Sequence, residues 1–240
     1  MKIKNKMILS IIIPAYNEQS TITEILTRVK KSRLGKGVER EIIVIDDAST
    51  DKTYKIIKKV PGITTLHHKK NKGKGSAVKT GLSRAKGDVI LIQDADLEYD
   101  PDDYSRLIEP IIKGKVSVVY GSRLKNYPLH LFGKKRTPLL THYLGNKFLT
   151  LITNVLYGDG VTDMETCYKV FKKEVLEGIR INAKRFDFEP EITAKILKAG
   201  HKIHEIPIKV KPRGYDEGKK ISWKDGFIAV WTLIKFKFVN

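Results

Sequence analysis

The sequence predicts an α/β fold, an open and mostly parallel sheet flanked by helices, and three observations carry that prediction. Short β-branched runs alternate with helical patterns through residue 123; the runs are apolar at nearly every position; and several of them end abruptly in acidic or polar turns. Near-continuous apolar strands belong to sheets covered on both faces, which is what helical crossovers between parallel strands produce.

Residues 8–13 form the first strand. The segment Met1-Lys2-Ile3-Lys4-Asn5-Lys6 before it resembles the charged start of a signal peptide, but the apolar run stops at Pro14, too soon for such a segment. Thr21-Ile22-Thr23-Glu24 has the spacing of a capping box and opens a helix to residue 31. Strands over 41–45, 63–66, 88–92 and 116–120 alternate with helices over 53–59, 76–85 and 102–112, the pattern of right-handed βαβ units. Beyond Arg123 the rhythm changes. Residues 124–138 are rich in Lys, Pro and Gly and read as a loop, followed by an amphipathic helix over 139–156. A helix over 188–199 stops at Gly200 as its C-cap. Residues 202–210 alternate as a strand, placed at an edge or bend by Pro207. The tail over 222–238 carries Trp223, Phe227, Val230, Trp231, Ile234 and Phe238 at helical spacing. With no internal repeat or low-complexity linker, residues 1–240 read as one domain with halves at 1–123 and 124–240.

Composition narrows the partners. Lys+Arg 46 against Asp+Glu 27 leaves a net charge of +19, a field that attracts phosphorylated metabolites, anionic lipid or nucleic acid. No nucleic-acid-binding motif accompanies the charge. A single cysteine, Cys167, cannot form an internal disulfide, which suits a reducing compartment. No segment offers the ~18 uninterrupted apolar residues of a membrane span.

Against that basic background, acids gather at strand ends. The first strand runs into Pro14-Ala15-Tyr16-Asn17-Glu18, the second into Asp46-Asp47-Ala48-Ser49 and the fourth into Gln93-Asp94-Ala95-Asp96-Leu97-Glu98. In open α/β sheets the ligand crevice lies beyond the carboxyl ends of the strands. An extended backbone would set Asp94, Asp96 and Glu98 on one face. Three carboxylates so close suit a hard divalent cation, Mg²⁺ or Mn²⁺, whose shell is completed by substrate phosphates. The same acids also suit a helix-capping turn, as Asp100-Pro101-Asp102-Asp103 does, and Asp47 or Ser49 could cap the helix that follows them. The Gly- and Lys-rich segment over 69–81 suggests a phosphate cradle, yet a P-loop ending at Gly73-Lys74 would need glycine where His68 stands. Helix amides near Gly75 and Ser76 are the remaining candidates for phosphate contact there. The six histidines show no paired metal-ligand spacing.

Taken in order, SIIIPAYNE, IIVIDDASTD, NKGKGSAVKTG, QDADLEYDP and VVYGSR resemble the family 2 nucleotide-sugar glycosyltransferases, which have the GT-A fold. The likeness continues through GNKFLTLITNVLYG, TDMETCYKVF, RFDFEPEITAKILKAG and YDEGKKISWKDG, and is greatest to the polyprenyl-phosphate glycosyltransferases typified by dolichol-phosphate mannose synthase. The resemblance implies a GT-A, Rossmann-like mixed sheet with C-terminal amphipathic helices. It implies a nucleotide-sugar pocket made by Pro14, Ala15, Tyr16, Glu18, Asp46, Asp47, Gly75, Asp94, Ala95 and Asp96. Asp94 and Asp96 match the family's metal-binding pair, and Glu98 stands where many members have Gln. Arg123 matches an arginine that contacts phosphate or acceptor, and Arg213, Lys219 and Lys220 match basic residues closing over the diphosphates and lipid phosphate.

The activity implied is an inverting, metal-assisted transfer of a hexose from a GDP-mannose or UDP-glucose type donor to a polyprenyl phosphate. An ionised phosphate acceptor needs no general base, whereas a sugar hydroxyl does. Asp163 is read either as that base or as an orienting residue, with the orienting role preferred. The alternatives are transfer to a saccharide or small-molecule hydroxyl and, from another class, a basic nucleic-acid-binding protein. The helix over 139–156, preceded by Lys134-Lys135-Arg136, and the aromatic tail suit attachment to an anionic membrane surface. Many relatives carry transmembrane helices after the catalytic domain; this chain reaches Asn240 without one, so peripheral binding on the cytoplasmic face is expected.

Overall fold

Nine residues of β1 (Met7–Ala15) form the spine of the fold, and they are buried on both faces from Leu9 onward. A computed structural model describes residues 6–125, 140–211 and 223–239. Along the chain follow α1 (Ile22–Lys31), β2 (Val38–Asp46), α2 (Thr53–Ile57), β3 (Thr64–His67), α3 (Lys74–Arg84), β4 (Val89–Ile92), α4 (Tyr104–Ile112) and β5 (Val118–Ser122). Then come α5 (Leu140–Tyr157), β6 (Lys169–Lys172), α6 (Phe188–Lys198), β7 (His204–Pro207) and α7 (Trp223–Phe238). The 7-stranded sheet has the order β3-β2-β1-β4-β6-β5-β7. Only β6 is reversed: it pairs antiparallel with β4 and β5, while β1 pairs parallel with β2 and β4, β2 with β3, and β5 with β7.

All five expected strands of the first half are present with ends moved by a few residues, and β7 is an edge strand, as Pro207 required. Strand β6 was not legible, because Lys169-Val170-Phe171-Lys172 is a short apolar pair between lysines. The capping box is not formed. Thr21 Oγ1 donates to Glu18 Oε2 at 2.9 Å, and Glu24 pairs instead with Arg28 at 3.1 Å, so the turn before α1 is tied to the cavity wall rather than to its own amides. Gly200, at φ +84°, ends α6 as expected, with its amide donating to Leu197 O at 3.0 Å.

Helix α3 lies close on the sheet because Gly81 has no side chain: a Cβ there would overlap Ile12 Cγ2 and sit 2.8 Å from Ile45 Cδ1. We expect Gly81→Leu to cost at least about 1–3 kcal/mol by overpacking, read as a fall in the midpoint of chemical denaturation.

Candidate active site

Strand order reverses at β1, whose neighbours are β2 on one side and β4 on the other. That switch point is where an open sheet splays its loops and leaves a crevice. A cavity of about 440 Å³ occupies it, lined by the loops after β1, β2 and β4 and by residues before β6 and at the start of α6. A larger hollow of about 1260 Å³ lies at the opposite ends of the strands, around Met7, Asp88 and Lys172, and is more open. The smaller cavity holds the convergent polar groups.

The loops at the mouth are locked before any ligand arrives. Asn17 and Ala48 take positive φ values of 54° and 59°, one in each loop, a conformation that costs non-glycine residues energy and persists only when surroundings enforce it. Asn17 N donates to Ser49 Oγ at 3.0 Å and Thr50 N donates back to Asn17 Oδ1 at 2.8 Å. The helix that follows is capped by Asp51, whose carboxylate accepts from Thr53 N at 2.8 Å, and not by Asp47 or Ser49.

Of the residues singled out in the sequence, Pro14, Ala15, Tyr16, Glu18, Asp47, Asp94, Ala95, Asp96, Glu98 and Arg123 line the cavity. Asp47 also accepts from Lys72 N, from Gly73 N at 2.6 Å and from His68 Nδ1 at 2.6 Å, which fastens the glycine-rich loop to the end of β2. His68 Nε2 is in turn bonded to Thr80 Oγ1 at 2.9 Å. Asp46 is fully buried, accepts from His67 Nδ1 at 2.8 Å and from Ser49 N at 3.1 Å, and is not part of the lining; it positions the loop. The histidines, silent as metal ligands, thus hold the two carboxylates. Their signal in the sequence was adjacency: His67 ends β3, the strand paired with β2, and His68 follows it.

Gly75 is a correction. Its amide donates to Arg185 O at 3.2 Å and that of Ser76 to Lys184 O at 3.1 Å, so neither faces a donor. A Cβ on Gly75 would meet the Ala183 carbonyl at 2.9 Å: the glycine permits close packing of α3 on the 183–185 segment. Gly73, at φ +91°, is the glycine that lines the cavity.

Beyond Ile92 the chain bends rather than extending, so alternation is not what gathers Asp94, Asp96 and Glu98; the bends turn all three to the cavity, and Glu98 N donates to Asp96 Oδ1 at 3.2 Å. Lys74 Nζ, unsuspected from sequence, bridges Asp94 at 2.8 Å and Glu189 at 2.7 Å. Burial opposes its charge, but the two carboxylates hold its pKa well above the usual lysine value. Among the described residues no three His, Cys, Asp or Glu side chains converge as a ready-made metal cage. The hard-oxygen wall of Asp94, Asp96 and Glu98 still fits Mg²⁺ or Mn²⁺, which need one or two carboxylates and take their remaining ligands from water and phosphate.

On the far wall, Arg123 is clamped by Asp163: its backbone N, Nε and Nη2 donate at 2.8, 2.8 and 2.7 Å, and Asp163 is fully buried. Burial works against the guanidinium charge and the Asp163 carboxylate more than restores it. Glu165, Cys167, Arg185, Phe186 and Glu189 complete this wall. Burial first, then Glu189, pushes the Glu165 carboxyl up to about 8. Burial and Asp94 raise the Cys167 thiol well above its usual range, which keeps it in the thiol form. Arg213, Lys219 and Lys220 lie outside the described residues.

A family model described as Glycosyl transferase family 2 matches residues 10–180. The chain belongs to that family. This glycosyltransferase is 32% identical over 248 residues to a UDP-N-acetylglucosamine–dolichyl-phosphate N-acetylglucosaminyltransferase from Methanococcus voltae, covering 95% of each chain. It is 31% identical to a dolichol-phosphate mannosyltransferase from Pyrococcus furiosus, covering 89% of this chain and 59% of that one. In fold it is similar to glucosyl-3-phosphoglycerate synthase from Mycobacterium tuberculosis in complex with Mn²⁺, uridine diphosphate and phosphoglyceric acid, with a TM-score of 0.71 at 19% identity over 98% of this chain and 80% of that one. The mixed sheet is thus of the GT-A type implied by the sequence motifs.

Proposed function

We propose that this glycosyltransferase moves a hexose from a nucleoside-diphosphate sugar to a polyprenyl phosphate with inversion at C1, assisted by a divalent cation. The observation that carries the reading is the opposition, within one cavity, of the Asp94-Asp96-Glu98 wall and the clamped Arg123. A cation held by those carboxylates supplies neutralisation of the charge that grows on the leaving diphosphate. Tyr16 and Glu18 sit at the β1–β2 end, beside the loop that Asp47 fastens, where hydrogen-bond acceptors can read the N–H and O–H groups of a nucleoside. Arg123 is placed to hold an anionic acceptor, whose phosphate oxygen attacks C1 as the C1–O bond to the diphosphate breaks and its electron pair leaves with that oxygen. Asp163, the base a hydroxyl acceptor would call on, has both oxygens engaged by Arg123, which favours an acceptor that is already ionised. The relatives named for dolichyl-phosphate transfer support the same acceptor class.

The two helices that pack on each other beside α6 support an approach to lipid. They are apolar on the wrong side for a soluble surface. Thr153 and Ala229 are buried at 0% and 3% exposure, while Val155 and Trp231 are exposed at 75% and 66%. Leu144, Phe148, Leu151 and Val155 repeat along α5 at the same spacing as Phe227, Trp231, Ile234 and Phe238 along α7, giving two outward apolar stripes with Lys147, Lys235 and Lys237 near them. No helix among the described residues is long and apolar enough to cross a membrane; we infer that the two stripes lie on the bilayer surface, with the enzyme on the cytoplasmic side. Replacing Phe148 and Trp231 by Ser should weaken co-sedimentation with anionic lipid vesicles more than about tenfold, since each buried large apolar side chain contributes roughly 1.5–3 kcal/mol.

The transfer itself is tested by radiolabel partition with UDP- and GDP-sugars and short polyprenyl phosphates. Label entering the organic phase only with lipid phosphate is the expected result; label retained on water-soluble hydroxyl acceptors would overturn the acceptor class.

A further inference from the structure

Strand β6 is the splice between the two halves of the sheet, and the segment that enters it is tied down residue by residue. Thr162 N and Asp163 N donate to Glu205 Oε1 at 2.8 and 3.0 Å, Met164 N donates to Thr150 Oγ1 at 3.2 Å, Thr166 Oγ1 donates to Gly121 O at 2.5 Å, and Cys167 N donates to Tyr99 Oη at 3.1 Å. The fully buried Lys169 completes the fastening. Its Nζ donates to the carbonyls of Met164 at 2.8 Å and Thr166 at 2.6 Å, the two residues on either side of Glu165.

Glu165 is the exception inside this lattice of bonds. Its backbone is held on both sides, it lines the cavity, and its Oε1 is buried without any hydrogen-bond partner. Among the described residues only one other buried side-chain oxygen, on Asp46, is left so, and Asp46 does not reach the cavity. An unsatisfied buried polar atom costs on the order of 1–3 kcal/mol, and native chains leave very few. A carboxyl on a fixed backbone with its Oε1 unsatisfied at a cavity wall is therefore matched to a group that the chain does not contain.

Sheet order says which group. Tyr16 and Asp47 stand over β1 and β2, Asp94 and Asp96 follow β4, and Glu165 precedes β6, one strand further from the β2 side. A donor laid with its nucleoside over β1 and β2 and its diphosphate at β4 brings its hexose to Glu165. The neighbours sort the two remaining ligands: Arg123 suits the anionic acceptor, whereas the Glu165 carboxyl, which burial and Glu189 push towards its neutral form, suits hydroxyls. We propose that Glu165 is a specificity-determining residue that hydrogen-bonds a hydroxyl of the transferred hexose, with Lys169 as the positioning residue that holds it. This rests on the nucleotide-sugar reading above. It would set which sugar is accepted, a matter on which the two named sequence relatives differ between N-acetylglucosamine and mannose.

The test compares Glu165→Ala and Glu165→Gln with the unaltered enzyme in two measurements: binding of UDP and GDP in the presence of Mn²⁺, and kcat/KM with UDP-glucose, UDP-N-acetylglucosamine and GDP-mannose on a short polyprenyl phosphate. Thermal melts confirm that each variant is folded, and the isosteric Gln keeps the test open should Ala not fold. The expected result is nucleotide affinity within about twofold of the original, a fall of at least about tenfold in kcat/KM for the preferred sugar in the Ala variant, and a sugar preference that narrows by a similar factor, with Gln recovering part of it. An unchanged preference, or an equal loss across all three sugars, would overturn the assignment while leaving the proposed reaction intact. Failure of the unaltered enzyme to transfer from any nucleotide sugar would overturn both.

Discussion

Asp96→Ala is expected to abolish measurable hexose transfer while leaving the fold unchanged. The side chain stands on the cavity wall after β4, half-buried and outside the apolar core, and accepts from the amide of Glu98 two residues on. Removal should therefore cost stability no more than about 0.5 kcal/mol, as for other substitutions away from a core or a buried network. Its effect on turnover is of another order. Groups aimed at charge that develops in a transition state are worth about 10²–10³ each in kcat, and Asp96 is assigned both to that role and to cation capture. The variant should accordingly lose Mn²⁺-dependent nucleotide binding, measurable by calorimetry with UDP and GDP, as well as rate. Full turnover in the variant, or in the unaltered enzyme under excess EDTA, would remove the cation from the mechanism.

Asp163→Asn should be destabilising as well as inactivating, and the contrast with Asp96 is diagnostic. Asp163 is wholly buried and receives three hydrogen bonds from Arg123, so the change leaves a guanidinium in the interior with its countercharge gone. Breaking a buried pair by removing one partner costs about 3–5 kcal/mol, which for a chain of this size lowers Tm by roughly 6–20 °C. Arg123 would also lose the fork that fixes its direction, so transfer should fall even at temperatures where the variant is folded. Arg123→Lys should retain charge and still lose activity, because an ammonium cannot make the paired contacts of a planar fork. Activity and stability moving independently in Asp163→Asn would show that the clamp is not what orients Arg123.

Legibility followed distance along the chain. The strands up to β5 could be read because each is a local run of apolar residues, and the acids at the ends of β1, β2 and β4 because a parallel sheet sends consecutive strand ends to one side. The capping box at Thr21 failed for a local reason that the motif does not encode: the Glu18 carboxylate, three residues earlier, takes the Thr21 hydroxyl. Gly75 failed for a non-local reason, since the carbonyls that take its amide and the next come from residues 185 and 184, on a loop far downstream. Strand β6 was hidden because its first residue is a lysine whose burial is made tolerable by carbonyls and by the ring of Tyr120, 4.3 Å away.

By itself, the sequence determined an α/β sheet with acids over its carboxyl ends and the ordered motifs of a family 2 glycosyltransferase, since periodicity, strand termini and short motifs are all local properties. Only the tertiary structure decided that Lys74 joins Asp94 to Glu189, that His67 and His68 hold Asp46 and Asp47, and that Glu165 stands unpaired on the cavity wall. These pairings link residues whose separation carries no period: the histidines meet Asp46 and Asp47 because β3 pairs parallel with β2, whereas Glu189 and Glu165 arrive with the second half of the chain, which β6 joins to β4.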